Sequence, residues 1–353
     1  MDDKQSAVDK QHLFRILMLA FAALVLFFAN MSFGSIDITF EEIGRVLMGY
    51  DIQSDVNAKI IHLIRLPKAL SAVLAGMALS VAGLQMQTLF RNPLAGPTVL
   101  GLSSGASLGV AFVMLASGAG AAVMNIKELG VNAGGLIVLA STLGAASVML
   151  VILLVSIRIR DNVVLLIIGM MVGNLTYAIV SVWQYFSHPE LIKDYLLWSF
   201  GSLGGVSLDQ IPVFSFSVCI GLIGTLLLSK SLNILMLGEQ YASSLGVNVK
   251  RVRVLIIIFS SLLAGAVTGY CGPISFIGIA CPHIARSIIH TNDHRWLSIA
   301  SALCGTIILL ACDMLSSLPG NSVSLPINAI TAMIGSPIVI AVIVKSRNLQ
   351  RAF

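Results

Sequence analysis

Long stretches of this 353-residue chain contain no Asp, Glu, Lys or Arg: residues 69–90, 129–157, 162–189, 210–229, 254–285, 296–312 and 314–344. A soluble domain cannot leave so much of its length without charge. Its surface would lack solvated groups, and an ordinary globular chain carries roughly 25% charged residues. Here 57% of residues are hydrophobic and only 10% charged, which points to a polytopic membrane protein. Such a chain must satisfy its backbone within each span, so the predicted fold class is all-α.

A helix needs about 20 apolar residues to cross the hydrocarbon. The stretches that qualify are 13–33, 63–89, 95–116, 133–157, 162–186, 209–229, 254–270, 274–289, 296–316 and 325–344. These are ten spans, an even number, so both termini lie on one side. The eighth is short and holds Pro282 and His283, as a broken or re-entrant element would. The expected organisation is a short tail at 1–12, one membrane domain over 13–346 and a tail at 347–353. The first span lacks a convincing cleavage site and reads as a retained helix.

Lys and Arg set the orientation. With the N-terminus inside, fifteen of them fall in cytoplasmic segments: Lys4, Lys10, Arg15, Arg91, Arg158, Arg160, Lys230, Lys250, Arg251, Arg253, Arg286, Arg295, Lys345, Arg347 and Arg351. Six fall outside: Arg45, Lys59, Arg65, Lys68, Lys127 and Lys193. This positive-inside bias supports the span count and places both termini in the cytoplasm. The net charge of +5 is then accounted for by the membrane topology, and nucleic acid is not an expected partner.

The spans are poor in ionisable groups. A proton- or sodium-coupled carrier needs something within the membrane to titrate or bind the ion, and Asp313 at the outer end of span nine is the nearest candidate. Uphill transport would therefore draw on energy from outside the bilayer. The polar island GEQYASSLGVNVKRVRV (238–254), cytoplasmic between spans six and seven, could dock such an engine.

Other features read as structural. Gly101, Gly105 and Gly109 form a stripe on span three that admits a neighbouring backbone, and Gly265 and Gly269 repeat the device in span seven. Cys219, Cys271, Cys281, Cys304 and Cys312 lack metal or redox spacing and read as buried free thiols. His290, Asp293 and His294 in HTNDHRW read as a turn between spans, so no metal site is expected. His283 is read as satisfying backbone groups freed by Pro282. No P-loop, Ser-His-Asp arrangement or zincin motif is present, and the chain is not expected to be an enzyme.

Three blocks carry a resemblance. RLPKALSAVLAGMALSVAGLQMQTLFRNPLAGPTVLGLSSGASLG (65–109), GPISFIGIACPHIARSIIHTNDHRWL (272–297) and LPINAITAMIGSPIVIAVIVK (325–345) occur in order and resemble the signatures of FecCD-type permeases. These are the transmembrane subunits of ABC importers for iron-siderophores, haem and cobalamin. The resemblance implies a homodimer or a pair of similar subunits, two cytoplasmic ATPases and an extracytoplasmic binding protein, all in a bacterial inner membrane. ATP and magnesium would be held by the ATPases, leaving this chain without a cofactor.

The resemblance also implies roles. Glu239, Gln240, Ala242, Ser243, Leu245, Gly246 and Val247, within a coupling segment at 238–250, would seat in the ATPase, with Ala242, Ser243 and Gly246 small enough for close contact. Lys250, Arg251 and Arg253 would anchor span seven at the headgroups. Arg91 and Asn92 would cap the turn RNPLAGP or touch the ATPase. Arg65 and Lys68 are candidates for docking the binding protein, against simple interfacial anchoring. Some relatives carry an arginine soon after the Asp of span nine, where this chain has Ser316 and Ser317. Asp161 and Asn162 fall near the cytoplasmic gate, although an N-cap for span five is at least as good a reading of Asp161. Met170, Met171, Asn174, Tyr177 and Gln184 are candidates for the pathway lining. The expected function is translocation of an iron chelate, with cobalamin as the alternative cargo and a secondary transporter of a small solute as the alternative class.

Overall fold

The computed structural model describes residues 2–34, 36, 38–49, 55–116, 133–159, 161–317 and 325–351. Its first half contains α1 (Asp2–Ser32), α2 (Phe40–Leu47), α3 (Asp55–Ile60), α4 (Leu66–Phe90), α5 (Leu102–Ala111), α6 (Ala133–Arg158), α7 (Asn162–Phe186) and α8 (Pro189–Ser199). The second half contains α9 (Ile211–Leu227), α10 (Ser229–Met236), α11 (Glu239–Ser244), α12 (Val249–Cys271), α13 (Ile277–Ile289), α14 (His294–Ser316) and α15 (Ile327–Arg351). No strand occurs among the described residues.

Among the described residues, seven helical stretches are long and apolar enough to cross a membrane: Val8–Ser32, Val56–Phe90, Gly135–Arg158, Val163–Phe186, Leu208–Leu227, Val249–Cys271 and His294–Ser316. Three shorter apolar helices, Leu102–Leu115, Ile277–Ile289 and Ile327–Ala341, fall where the remaining predicted spans lie. Their limits differ from the sequence reading for local reasons. Pro97 and the left-handed Gly101 (φ 75°) delay the third span until Leu102. At 13 residues, α13 is only about 20 Å long, well short of a full crossing. The second span starts earlier than expected, because α3 runs into α4 through a wide π turn over Ile61–Arg65.

The core centres on α4, which packs against α14, α12, α13 and α9. Small residues permit the close crossings. A Cβ on Gly76 would stand 2.4 Å from the Gly305 carbonyl oxygen of α14, and one on Gly83 would stand 1.7 Å from that of Gly278 in α13. The predicted glycine stripe on α5 works the same way: Gly109 faces the Ala140 carbonyl, and Gly105 that of Gly144, both on α6. Gly101 instead abuts Gly169 and Gly173 on α7.

Side-chain contacts tie the loops into two ends. At one end, Arg15 donates to the Ile289 carbonyl at 2.7 Å, Arg91 to that of Met236 at 3.1 Å, and Asn233 to Asp293 at 2.7 Å. These residues come from the segments that the charge bias assigns to the cytoplasm. At the opposite end, Lys68 meets Ser317, and Arg65 meets the last turn of α1 and the segment after it. Short helices α2, α3 and α8 decorate that outer end and were not foreseen. Thr39 and Glu42 form a reciprocal capping box on α2.

Candidate functional site

The polar island holds the short helix α11, which follows α10 directly, and then the first turn of α12. Gly238 breaks the chain between α10 and α11 at φ 121°, and Gly246 ends α11 at φ 81°, conformations that favour glycine. Asn248 then caps α12 by accepting the Arg251 N–H at 3.0 Å. Glu239 pairs with Arg253 at 2.7 Å, and Arg253 also donates to the Ile159 carbonyl at the end of α6. Arg253 is buried, which corrects its assignment to the headgroups; Lys250 and Arg251 remain exposed.

The predicted coupling residues divide by exposure. Gln240, Ser243, Leu245 and Gly246 are exposed, Glu239 and Val247 half-buried, and Ala242 fully buried within its own chain. Ala242 therefore seats α11 on the bundle, and its small size serves that contact. A signal missed in the sequence is the spacing of Tyr241 and Leu245, four residues apart on one face of α11. Leu237, before the Gly238 break, lines the same cleft as Tyr241, and the three, all more than half exposed, give an apolar patch on a polar end of the molecule. Arg91 adopts a left-handed conformation (φ 48°) at the end of α4 and reaches the Leu235 and Met236 carbonyls, while Asn92 accepts the Leu94 N–H at 2.9 Å. Both hold the turn, and Arg91 also holds α10.

Asp161 accepts the N–H groups of Val163 at 2.8 Å and Val164 at 3.4 Å, the N-cap geometry for α7. It also lines a cleft of about 720 Å³ with Arg91, Glu239 and Gln240, so the sequence candidates for gate and coupling meet in one place. Asn162 opens α7, and its side chain lies outside the described residues. A second cleft of about 570 Å³ runs between the end of α6 and the α11–α12 junction, past Ser156, Ser243 and Lys250.

A buried polar chain joins this end to the core. Asn233 on α10 donates to Asp293 and accepts from the His294 backbone at 2.9 Å, with the His294 ring nitrogen Nδ1 at 2.8 Å from the same oxygen. The other ring nitrogen lies 2.8 Å from Thr88 Oγ1 on α4. Partial burial pushes the Asp293 carboxyl up, but the Arg295 N–H, the Asn233 amide and the charges of Arg295 and His294 outweigh it and hold the carboxyl below its ordinary range. HTNDHRW is thus a structural junction. Among the described residues, no group of three His, Cys, Asp or Glu side chains is arranged to hold a metal.

On α7, Met170, Met171, Asn174 and Tyr177 are exposed and Gln184 is half-buried. Asn174 and Tyr177 share a face with Met170 by helical spacing, while Met171 lies on the adjoining one.

At the outer end, the geometry gives the two docking candidates internal contacts. Arg65 is buried, and its guanidinium donates to the carbonyls of Met31 at 2.9 Å, Ile36 at 2.5 Å and Phe33. Lys68 pairs with the buried Asp313 at 3.1 Å and donates to Ser317 at 2.6 Å, while Asn30 donates to the other Asp313 oxygen at 2.9 Å. Ser317, where relatives were expected to carry a cation, receives a cation from α4. His283 bonds the Pro93 carbonyl at 2.8 Å, in the RNPLAGP turn and not in its own helix. All five cysteines are free, four of them buried and Cys219 exposed.

The profile of the FecCD transport family matches residues 22–345. The hemin transport system permease protein HmuU of Yersinia pestis is 35% identical over 80% of this chain and 83% of its own length. The vitamin B12 import system permease protein BtuC of Vibrio cholerae is 33% identical, covering 86% and 88%. The Fe(3+)-citrate import system permease protein YfmD of Bacillus subtilis is 32% identical, covering 95% and 97%. A solved structure described as "an inward-facing conformation of a putative metal-chelate type ABC transporter" superposes with a TM-score of 0.80 at 25% identity, covering 94% of this chain and 98% of that one.

Proposed function

The chain belongs to the FecCD transport family of multi-pass inner-membrane permeases, and from that premise we propose that it carries an iron chelate, a siderophore complex or haem, as the membrane subunit of a binding-protein-dependent ABC importer. Two copies of the chain, or this chain and a similar one, enclose the pathway. Two cytoplasmic ATPases hold ATP and magnesium and supply the energy, and an extracytoplasmic binding protein delivers the cargo.

The observation that carries the reading is the α10–α11 segment. It presents an exposed apolar patch of Leu237, Tyr241 and Leu245 to the cytoplasm while Arg91, Arg253 and Asn233 secure its other side. A solvated loop has no use for that combination, whereas a seat for a partner requires both an adherent surface and a rigid mount. The scarcity of intramembrane charge favours an external engine over ion coupling, since Asp313 already pairs with Lys68. Cobalamin is the second cargo reading, favoured by the likeness to the B12 permeases.

The test is gentle purification from the native membrane, identification of the proteins that accompany the chain, and reconstitution of the whole assembly in liposomes. ATP-dependent uptake of ferric siderophores, hemin and cyanocobalamin is then compared. Uptake of a ferric chelate or hemin with a stoichiometric ATPase supports the proposal, and uptake of cyanocobalamin alone redirects it to the second cargo. Transport by the chain without any ATPase, abolished by dissipating the proton gradient, would leave a secondary transporter.

A further inference from the structure

His294 is fully buried where α14 begins, and its ring is held on both sides by different helices. Hydrogen-bond accounting fixes the arrangement. The Asp293 carboxylate only accepts, so the Asn233 amide must turn its Nδ2 toward it at 2.7 Å. Asn233 Oδ1 then faces His294, where it takes both the backbone N–H and the ring Nδ1. Nδ1 must therefore carry a proton. In the neutral ring Nε2 accepts, and the Thr88 hydroxyl, which also reaches the Leu84 carbonyl at 2.9 Å, is the group that faces it at 2.8 Å.

The contacts form a continuous path from α10, through the first turn of α14, to the end of α4. Arg91 makes a second connection between α4 and α10, through the Leu235 and Met236 carbonyls. Both connections converge on α4, the helix about which the core is built. The apolar side chains around these contacts can slide over one another at little cost. A buried imidazole cannot, because losing a partner leaves a polar group without water. Displacement of α10 is therefore passed on and not absorbed.

We infer that His294 is the positioning residue that transmits movement of the α10–α11 segment to α4, with Asn233 as its input contact and Thr88 as its output contact. The inference rests on the importer reading above, in which an ATPase pushes on that segment. Loss of the path leaves ATP hydrolysis running while the membrane helices cease to follow.

The experiment uses the complete complex in liposomes with an Asn174→Cys reporter on α7 in a chain whose other cysteines are replaced. Labelling by a membrane-impermeant maleimide is followed with and without MgATP, alongside ATP hydrolysis. Thr88→Val keeps shape and removes the hydroxyl, Thr88→Ser retains a hydroxyl, and His294→Asn keeps an amide at the Nδ1 position without reaching Thr88. We expect MgATP to change labelling by about fivefold or more in the reporter chain and in its Thr88→Ser variant. In Thr88→Val and His294→Asn the change should fall below about twofold, with hydrolysis held within about twofold throughout. Labelling that still responds to MgATP in Thr88→Val overturns the inference. So does a proportional fall of hydrolysis and response, which marks a merely structural role. A complex that retains no ATPase sinks the importer reading instead.

Discussion

Glu239 and Arg253 meet at 2.7 Å across the junction of α11 and α12, where the arginine is buried and the carboxylate is one-third exposed. Removing the carboxylate leaves a guanidinium in a poorly hydrated place without its counter-charge. A fully exposed pair contributes under about 1 kcal/mol, and breaking a fully buried one costs about 3–5. The partial exposure of Glu239 places Glu239→Gln between these, at about 1–2 kcal/mol. The expected readout is a lower unfolding midpoint of the purified chain, together with weaker retention of the ATPase. An unchanged midpoint would mean that the pair does not mount α11.

Lys68 and Asp313 invite a different comparison. Asp313 is buried, receives Asn30, and neutralises Lys68 at the outer ends of α1, α4 and α14. Either single substitution, Lys68→Met or Asp313→Asn, strands a charge or its donors and should cost about 2–4 kcal/mol. The double substitution should recover most of that loss, since neither charge then remains. Thermal unfolding of the four proteins in detergent decides the point. Additive single losses would show that each residue acts through other partners. A double variant that is stable but no longer accepts the binding protein would return Lys68 to the docking role suggested by its place in RLPK.

Much of the architecture was legible because the membrane imposes it. The absence of charge over residues 210–229, 254–285 and 296–312 leaves few alternatives to a span, and the distribution of Lys and Arg sorts the loops. The island at 238–254 stood out for the same reason, as polarity against an apolar background. The side on which each residue works was much less legible. Ala242 and Ser243 are neighbours of similar size, yet one is buried and the other exposed, because helix phase depends on the break at Gly238. Arg253 and Arg251 look equivalent in sequence and point to opposite environments. Asn233 carried no signal, since its partners Asp293 and His294 lie 60 and 61 residues away. Tyr241 and Leu245 did carry one, in their spacing of four on α11.

Two glycines separate packing from backbone strain. A Cβ on Gly83 would fall 1.7 Å from the Gly278 carbonyl oxygen, so Gly83→Ala must force α4 and α13 apart. Overpacking of this kind costs about 1–3 kcal/mol or more, and poor yield of folded protein is expected. Gly246 has nothing within 4 Å of its would-be Cβ but sits at φ 81°. Gly246→Ala should therefore cost only the left-handed penalty, about 1–2 kcal/mol, and leave the span packing intact. Expression level and unfolding midpoint of the two variants measure the contrast. A harmless Gly83→Ala would contradict the close crossing.

Acid should loosen the Asp293 junction. Burial pushes its carboxyl up, yet the Arg295 N–H and the Asn233 amide prevail and hold it below the ordinary range in the folded chain. A carboxyl that binds its proton less tightly when folded stabilises the fold fully above its unfolded value, about 3.9, and loses that contribution as pH falls toward the folded value. The unfolding midpoint should decline below about pH 4, and Asp293→Asn should flatten part of that decline while lowering the plateau at neutral pH. Glu42, whose carboxyl is lowered first by the Thr39 N–H and then by Asn57, acts in the same direction at the outer end. Measuring the midpoint from about pH 3 to 7 for the parent chain and Asp293→Asn assigns the slope. An identical profile in the two would remove the carboxylate from the account.

Asn174 sits midway along α7 with its side chain exposed in the single chain, on one face with Ile167, Met170 and Tyr177. Leu175 is 62% exposed on the adjoining face with Met171 and Val182. An amide facing lipid would be costly, because hydrocarbon offers it no hydrogen bonds, whereas leucine and valine lose nothing there. The Asn174 face is therefore expected to turn toward water or a second subunit, and the Leu175 face toward lipid. Asn174→Cys should react with a water-soluble maleimide at least about tenfold faster than Leu175→Cys in the assembled complex, since thiolate formation requires hydration. If Leu175→Cys reacts faster, the pathway lining moves to the Met171 face. Equal, slow reaction at both positions would place the water elsewhere and remove α7 from the lining altogether.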